Sequence, residues 1–147
     1  MQILVTNDDR YIAPGIRILA DIRSVINNMI LVAPDCKSGL SHSFMLMWPL
    51  QVHKKTKDND RVDVAPTDYV YLAIPGEGDN NSDVALSGIN IGFNLGDDIL
   101  VLCTVAAATE GPYLGLTLFA VSLMGKQEKN YCASAQKTAH VVEIRVN

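Results

Sequence analysis

The sequence lacks several features that would assign it to common protein classes. It has no basic excess, because its formal net charge is −4, whereas proteins that bind nucleic-acid polymers usually present a basic surface. Its three histidines form no HxxxH or HExxH pattern, so a histidine-based zinc site is not expected. Its longest apolar stretch, residues 99–108, is shorter than the about 20 residues that a membrane helix needs. We therefore expect neither a nucleic-acid polymer nor a membrane as a partner.

Features of secreted proteins are also scarce. The three cysteines are odd in number and lack metal-finger spacing, which favours reduced thiols over a disulfide framework. No basic segment precedes the first apolar run, which ends at Val5, so no signal peptide is predicted and a cytoplasmic location is expected. The 147 residues, 48% of them hydrophobic, are enough for one domain with a core, covering residues 1–147.

Strand-like and helix-like segments alternate along the chain. Strands are predicted at residues 2–6, 29–33, 61–64, 83–87, 117–123 and 141–146, with further extended segments at 44–48 and 50–53. Helices are predicted from Pro14 to the Asn27-Asn28 pair and over residues 66–73, 101–114 and 127–140. The basic run of Lys54, Lys55 and Lys57 is interpreted as a solvated turn. The alternation, with nearly all-apolar strands, predicts an α/β sandwich on a mostly parallel sheet.

Polar residues follow three of the core strands. Asn7, Asp8 and Asp9 come after the first strand, residues 34–43 after the second, and the glycine-rich stretch 88–98, predicted as a loop, after the third. Right-handed crossovers bring the carboxyl ends of parallel strands to one edge of the sheet, where such folds bind ligands. The three loops are therefore expected to form one site.

The adjacent carboxylates of Asp8 and Asp9 repel each other unless a positive charge lies between them. Carboxylate, hydroxyl and carbonyl oxygens are ligands for hard cations such as Mg²⁺ or Mn²⁺. The serines and glycines of the other two loops suit an anion that shares the ion, most simply a phosphate. The alternative is that Asp8 caps a helix and the glycines only make turns.

Other phosphate-binding patterns fit the chain less well. No Gly-Lys-Ser/Thr follows its glycines, and Gly88, Gly92 and Gly96 do not follow G-x-G-x-x-G spacing. A receiver-like regulatory domain also has paired acids after its first strand, but it needs an aspartate where this chain has Ser87. Lys126, after the fourth strand, keeps that alternative open.

Eight short motifs follow one another between residues 2 and 125. They are T-N-D-D at 6–9, A-P-G-I at 13–16, V-A-P-D at 32–35, S-G-x-S-x-S at 38–43, P-T-D-x-V-Y-L at 66–72, S-G-I-N-x-G-x-N-L-G-D-D at 87–98, T-V-A-A-A-x-E-G at 104–111 and A-V-S-L at 120–123. In this order they resemble the SurE (survival protein E) family of nucleoside-monophosphate phosphatases. The resemblance implies a Rossmann-like three-layer α/β/α fold with a mostly parallel sheet.

The resemblance also implies the chemistry of the site. It implies one divalent cation per subunit, Mg²⁺ or Mn²⁺, held by Asp8, Asp9, Ser38 and Asn90. The implied reaction is hydrolysis of nucleoside 5′- or 3′-monophosphates, with Asp8, Asp9 and Asn90 as catalytic residues and a metal-activated water as nucleophile. Candidate phosphate contacts are Ser41, Ser43, Asn94 and Thr104, although Ser43 also suits a strand end and Thr104 a helix cap. A homodimer or homotetramer is implied as well.

The chain departs from the family pattern at identifiable positions. Arg10 stands where the family usually has glycine, and Leu102-Cys103 stands where it usually has Ser-Gly. Arg10 either adds a phosphate donor, strains the backbone or blocks the site. The sequence is also expected to lack the family's C-terminal extension. The alternatives are therefore a catalytically impaired homologue that still binds metal and nucleotide, or the receiver-like domain.

Overall fold

A computed structural model describes residues 2–21, 28–34, 52–56, 59–62, 82–92, 95–96, 104–105, 116–125 and 127–146. Its elements, in chain order, are β1 (Gln2–Thr6), α1 (Pro14–Ala20), β2 (Asn28–Pro34), β3 (Val52–Thr56), β4 (Asn59–Val62), β5 (Val84–Ile91), β6 (Thr117–Leu123) and α2 (Glu128–Val146). The predicted extended segment 44–48 and the predicted helix 66–73 lie outside these ranges. Of the predicted helix 101–114, residues 104–105 are described, and they are helical.

The strands form one six-stranded sheet in the order β3-β4-β2-β1-β5-β6. Every neighbouring pair is parallel except β3 with β4, which is antiparallel at the edge. The prediction of an α/β fold on a mostly parallel sheet is therefore confirmed, as is an outlying strand near residue 61. Lys54 and Lys55, predicted in a turn, instead lie in β3, because this segment pairs with β4.

Both faces of the sheet are buried. On one face, Ile16 and Leu19 of α1 and Ala135 of α2 share a core with strand residues such as Val5 and Leu86. On the other face, a second cluster contains Leu4, Val32, Ala85 and Leu116. Burial on both faces explains why the central strands are nearly all apolar, and it agrees with the predicted three-layer arrangement.

The third core strand is longer than predicted. The sequence predicted a strand that ends at Ser87 and a loop from Gly88, but β5 continues through Ile91 and pairs with β6 up to Leu123. Gly88 has φ +142° and its Cα lies close to the Val121 backbone. Glycine at position 88 permits a close approach between β5 and β6. Because β5 pairs with β6 as far as Ile91, the prediction that this part of the glycine-rich segment is a loop was wrong.

The C-terminal segment is helical throughout its described length. The predicted strand at 141–146 is wrong, because α2 runs unbroken from Glu128 to Val146. Its buried residues Tyr131, Ala135, Thr138, Ala139 and Val142 follow the helical i, i+4, i+7, i+8 spacing. The β-branched residues at the end of this segment suggested a strand, but packing on α1 and the sheet outweighs that weak local preference. No helix in the described ranges combines the length and hydropathy of a membrane span.

The first helix begins as predicted, with Pro14 in its first turn. It runs to Ala20, and the predicted continuation through residue 26 falls outside the described ranges. A side chain at Gly15 would collide with the backbone carbonyl of Ile89 in β5. This close approach holds the start of α1 against the carboxyl end of the sheet, directly after the acid pair.

Candidate functional site

The acid pair lies where the sequence predicted it, at the carboxyl end of a central strand. β1 is flanked by β2 and β5, and Thr6 and Asn7 at its end are fully buried. Asp8 and Asp9 are half-buried, and Arg10 is exposed. The solvent exposure of the residues therefore rises from Thr6 to Arg10, and the two carboxylates lie at the boundary between the protein interior and solvent.

Hydrogen bonds hold the loop that carries the acids. The Asn7 side-chain amide donates to the Arg10 carbonyl over 3.1 Å, and the Ala13 amide donates to the same carbonyl over 3.0 Å. The Tyr11 amide donates to the Pro34 carbonyl over 2.8 Å, which ties the loop to the end of β2. Within this network Arg10 has φ +133°, a backbone conformation that favours glycine. The strain expected for a non-glycine residue at this position is therefore present.

Thr104 joins the site from a distant part of the chain. Its hydroxyl is fully buried and donates to Asp8 Oδ1 over 3.1 Å. The sequence offered Thr104 as a phosphate contact or a helix cap, and the structure shows a third role, as a partner of Asp8. Because the bond removes one degree of freedom from a half-buried carboxylate, it orients Asp8 within the site.

Several buried oxygens lie beside the acid pair. Thr6 of β1 and Ser87 of β5 are neighbours across the strand pair, and both side chains are fully buried. Thr6 Oγ1, Asn7 Oδ1 and Ser87 Oγ have no hydrogen-bond partner among the described residues. Such buried unpaired groups are rare in native structures, and a bound ion or water is one way in which they are satisfied. Hydroxyl, amide and carboxylate oxygens are a donor set that suits a hard divalent cation.

Asn90 is the third predicted ligand within the described ranges. It lies near the end of β5, the strand that pairs with β1, and is 9% exposed. The structure therefore places Asp8 and Asp9 just after the end of β1, and Asn90 near the end of the adjacent strand β5, at the same edge of the sheet. Within the described ranges no group of three or more His, Cys, Asp and Glu forms a metal cluster. Among the described residues, the ligands available to a cation at this edge are therefore the two carboxylates and nearby amide and hydroxyl oxygens.

The other predicted site residues lie outside the described residues. They are Ser38 as a metal ligand and Ser41, Ser43 and Asn94 as phosphate contacts. Leu102-Cys103 and Lys126, which bear on the alternatives, also lie outside them. The roles of these residues stay predictions.

Sequence reasoning missed Tyr131 of α2. Its side chain is only 3% exposed, and its hydroxyl has no hydrogen-bond partner among the described residues. Burial raises the pKa of the Tyr131 phenol, and the negative charge of Asp9 raises that pKa further. The helical spacing of Tyr131 with Ala135 and Ala139 predicts a buried position, but nothing in the sequence indicates that this position faces the acid pair.

The family comparison agrees with the geometry. The family model described as Survival protein SurE matches residues 3–146. This chain belongs to the SurE family. The match includes the acid pair, Asn90, Thr104 and all of α2, so the candidate site lies inside the region that the family model covers.

Individual relatives give the same result. A protein named 5′-nucleotidase SurE from Nitrosococcus oceani is 47% identical over 136 residues, which is 92% of this chain and 54% of the relative. One from Methylococcus capsulatus is 44% identical over 149 residues, which is 100% of this chain and 59% of the relative. The chain therefore spans little more than half the length of these SurE relatives.

A solved structure confirms the fold. The crystal structure of the SurE protein from Aquifex aeolicus superposes with a TM-score of 0.89 at 35% identity, over 97% of this chain and 59% of that chain. The α/β sheet that carries the acid pair is therefore the fold of a SurE protein.

Proposed function

We propose that this chain carries the site of a divalent-metal-dependent phosphatase that hydrolyses nucleoside 5′- or 3′-monophosphates. The observation that carries the proposal is the half-buried acid pair at the end of β1, with Asp8 oriented by the Thr104 hydroxyl. The relatives named 5′-nucleotidase SurE support the same substrate class. A cytoplasmic homodimer or homotetramer remains the proposed form of the protein.

Asp8, Asp9 and Asn90 are the described residues proposed to hold one Mg²⁺ or Mn²⁺, with Ser38 as a further ligand. The unpaired oxygens of Thr6, Asn7 and Ser87 support this assignment, because they leave an oxygen-rich environment beside the carboxylates. When bound, a divalent cation lowers the pKa of a coordinated water and stabilises negative charge on a phosphoryl group.

Phosphoryl transfer depends mainly on positioning and electrostatics, so the chain needs no side-chain nucleophile. Thr104 holds the Asp8 carboxylate in one orientation through its hydrogen bond. Asp9 is the proposed acceptor for the proton of the attacking water. Ser41, Ser43 and Asn94 are proposed to bind the phosphoryl oxygens. The Thr104 hydroxyl is proposed to act on the phosphate only indirectly, because it orients Asp8.

Phosphate release from AMP, GMP and a 3′-nucleotide tests the proposal. It is measured with Mn²⁺, Mg²⁺ or EDTA for the wild type, Asp8→Asn and Asp83→Asn. Asp83 is a matched carboxylate at the opposite end of β5, where it accepts a hydrogen bond from the Gln2 amide. We expect metal-dependent release by the wild type and Asp83→Asn, and loss of about 10²-fold or more in Asp8→Asn. Absence of release from folded, metal-loaded wild type contradicts the proposal.

One observation favours a second candidate, the catalytically impaired homologue that binds metal and nucleotide. Arg10, beside the acid pair, occupies a backbone conformation that favours glycine. If its side chain displaces the attacking water, nucleotide binds without turnover. Calorimetric binding of AMP with Mn²⁺, without phosphate release, identifies this case.

A further inference from the structure

Arg10 combines a strained backbone with a side chain that forms no hydrogen bond or ion pair with the other described residues. Its φ is +133°, and its carbonyl accepts two hydrogen bonds, from the Asn7 side chain and the Ala13 amide. The backbone of this residue is therefore part of a hydrogen-bonded loop. Strained residues persist where the surrounding structure determines them, and they concentrate at ligand-binding sites.

Packing does not explain why arginine occupies this position. The side chain is exposed, and its guanidinium forms no hydrogen bond or ion pair with another described residue. It also belongs to neither hydrophobic cluster. Among the described residues, therefore, no interaction of the Arg10 side chain offsets the cost of the backbone strain.

The charge balance of the site explains why a positively charged side chain beside the acid pair would be useful. Asp8 and Asp9 together carry two negative charges when ionised, which one divalent cation balances. A phosphate monoester that arrives as a dianion then meets a site with no net positive charge. An arginine beside the acids supplies that charge, and its planar fork of N–H donors matches two phosphoryl oxygens.

We propose that Arg10 is a substrate-binding residue that recognises the dianionic phosphoryl group at the entrance to the acid pair. The proposal rests on the proposed function for the identity of the ligand, a nucleoside monophosphate. It assigns to Arg10 a role in affinity and in selection between the dianion and the singly protonated phosphate. It assigns Arg10 no role in the chemical step.

Arg10→Ala and Arg10→Lys test this role against Arg145→Ala. Arg145 is a matched cation, because it is exposed and lies in the last turn of α2, far along the helix from Tyr131. The dissociation constant of AMP with Mn²⁺ is measured by calorimetry, and KM and kcat are measured separately. We expect Arg10→Ala to raise the dissociation constant and KM about tenfold, as for a lost hydrogen bond to a charged group. The kcat is expected to change less than about twofold, because the interaction is equal in the ground and transition states.

The pH dependence gives a second readout that a purely structural role does not alter. The second pKa of a phosphate monoester is about 6, so the dianion disappears as the pH falls below that value. Wild type and Arg145→Ala are expected to lose AMP affinity between pH 7 and pH 5 more steeply than Arg10→Ala. Arg10→Lys keeps the positive charge but lacks the paired N–H donors of the guanidinium. Its loss of AMP affinity between pH 7 and pH 5 is expected to be intermediate between those of the wild type and Arg10→Ala.

Each outcome decides between the two proposals. If the wild type binds AMP but does not hydrolyse it, the phosphatase proposal fails, and weaker binding by Arg10→Ala still supports the role of Arg10. If Arg10→Ala binds AMP as tightly as the wild type with the same pH dependence, the role of Arg10 is overturned, whatever the activity. If the wild type does not bind AMP at all in the presence of Mn²⁺, both proposals are overturned.

Discussion

The two ends of β1 differ in the polar groups that they carry and in the strain of their backbones. At the amino end, the Gln2 amide donates to Asp83 Oδ2 over 2.8 Å and the Asp83 amide donates back to the Gln2 carbonyl over 2.8 Å. At the carboxyl end, Thr6 and Asn7 bury oxygens that have no partner among the described residues, and Arg10 is strained. Proteins give up local stability in this way at functional sites. Ser82 Oγ, at the amino end, likewise has no partner among the described residues, so what distinguishes the carboxyl end is the acid pair together with the strain at Arg10.

Among the substitutions that test the difference between the two ends, Thr104→Val is expected to change stability most. It keeps the shape of the side chain but removes the hydrogen bond to Asp8. We expect a loss of about 2 kcal/mol in the free energy of unfolding, because a bond to a charged group is lost inside the protein. Urea denaturation measures this loss, and phosphate release is expected to fall in parallel. Unchanged stability and activity would show that Thr104 does not orient Asp8.

Arg10→Gly is expected to act in the opposite direction. Glycine adopts positive φ without the cost of about 1–2 kcal/mol that other residues incur, so the variant is expected to be more stable by about that amount. Thermal unfolding measures the gain.

Arg17→Gly is the matched control for this variant. Arg17 lies inside α1, where glycine costs about 1 kcal/mol relative to good helix formers. Opposite signs for the two variants confirm the strain at residue 10, and a loss of stability in both variants contradicts it.

Tyr131→Phe removes a buried hydroxyl that has no partner among the described residues. We expect a gain of about 1 kcal/mol in the metal-free protein, because the hydroxyl no longer has to be desolvated. The raised pKa of Tyr131 also predicts a pH effect with a definite sign. Above the ordinary value of 10.0 the unfolded phenol ionises first, so the wild type loses stability as pH rises. Denaturation at pH 9 and pH 11 should show a smaller loss for Tyr131→Phe, and equal losses contradict the assignment.

The smallest effect is expected at the amino end. Asp83→Ala removes the acceptor for the Gln2 amide at an exposed position, and we expect a loss of about 0.5–1 kcal/mol with unchanged phosphate release. Urea denaturation and the nucleotide assay measure the two quantities. A large loss of activity in this variant would remove the distinction between the two ends of the strand.

The sequence predicts those features of the fold that depend on local patterns. The apolar runs predicted β1, β2 and β6, and the position of Asp8-Asp9 after β1 followed from the edge rule for parallel sheets. The extension of β5 beyond Ser87 was missed because it depends on pairing with β6, whose residues lie 32 or 33 positions further along the chain. The helical end of α2 was missed because Val142 is held by tertiary packing, which local propensity does not report.

The candidate site also has features that local sequence patterns predict and features that depend on tertiary contacts. The position of Asp8 and Asp9 at the edge of the sheet could be predicted because they follow a recognisable strand. Asn90 was expected only from the resemblance to the SurE family, and it was expected in a loop, whereas it lies in β5. The strain at Arg10 could be predicted only as a condition, since the φ of a residue depends on the bonds around it, here those of Asn7 and Ala13. The effect of the Asp9 charge on Tyr131 and the hydrogen bond from Thr104 to Asp8 both join distant segments of the chain, and periodicity carries no information about such interactions.

Cation binding at the acid pair tests the central claim most directly. Thermal unfolding is recorded with EDTA and with Mn²⁺ at about 100 times its dissociation constant for wild type, Asp8→Asn and Asp83→Asn. Binding to the folded state alone predicts a stabilisation of about 2.7 kcal/mol for wild type and Asp83→Asn. The same Mn²⁺ concentration is expected to leave Asp8→Asn almost unchanged. Equal stabilisation of all three proteins would place the cation elsewhere and contradict the account.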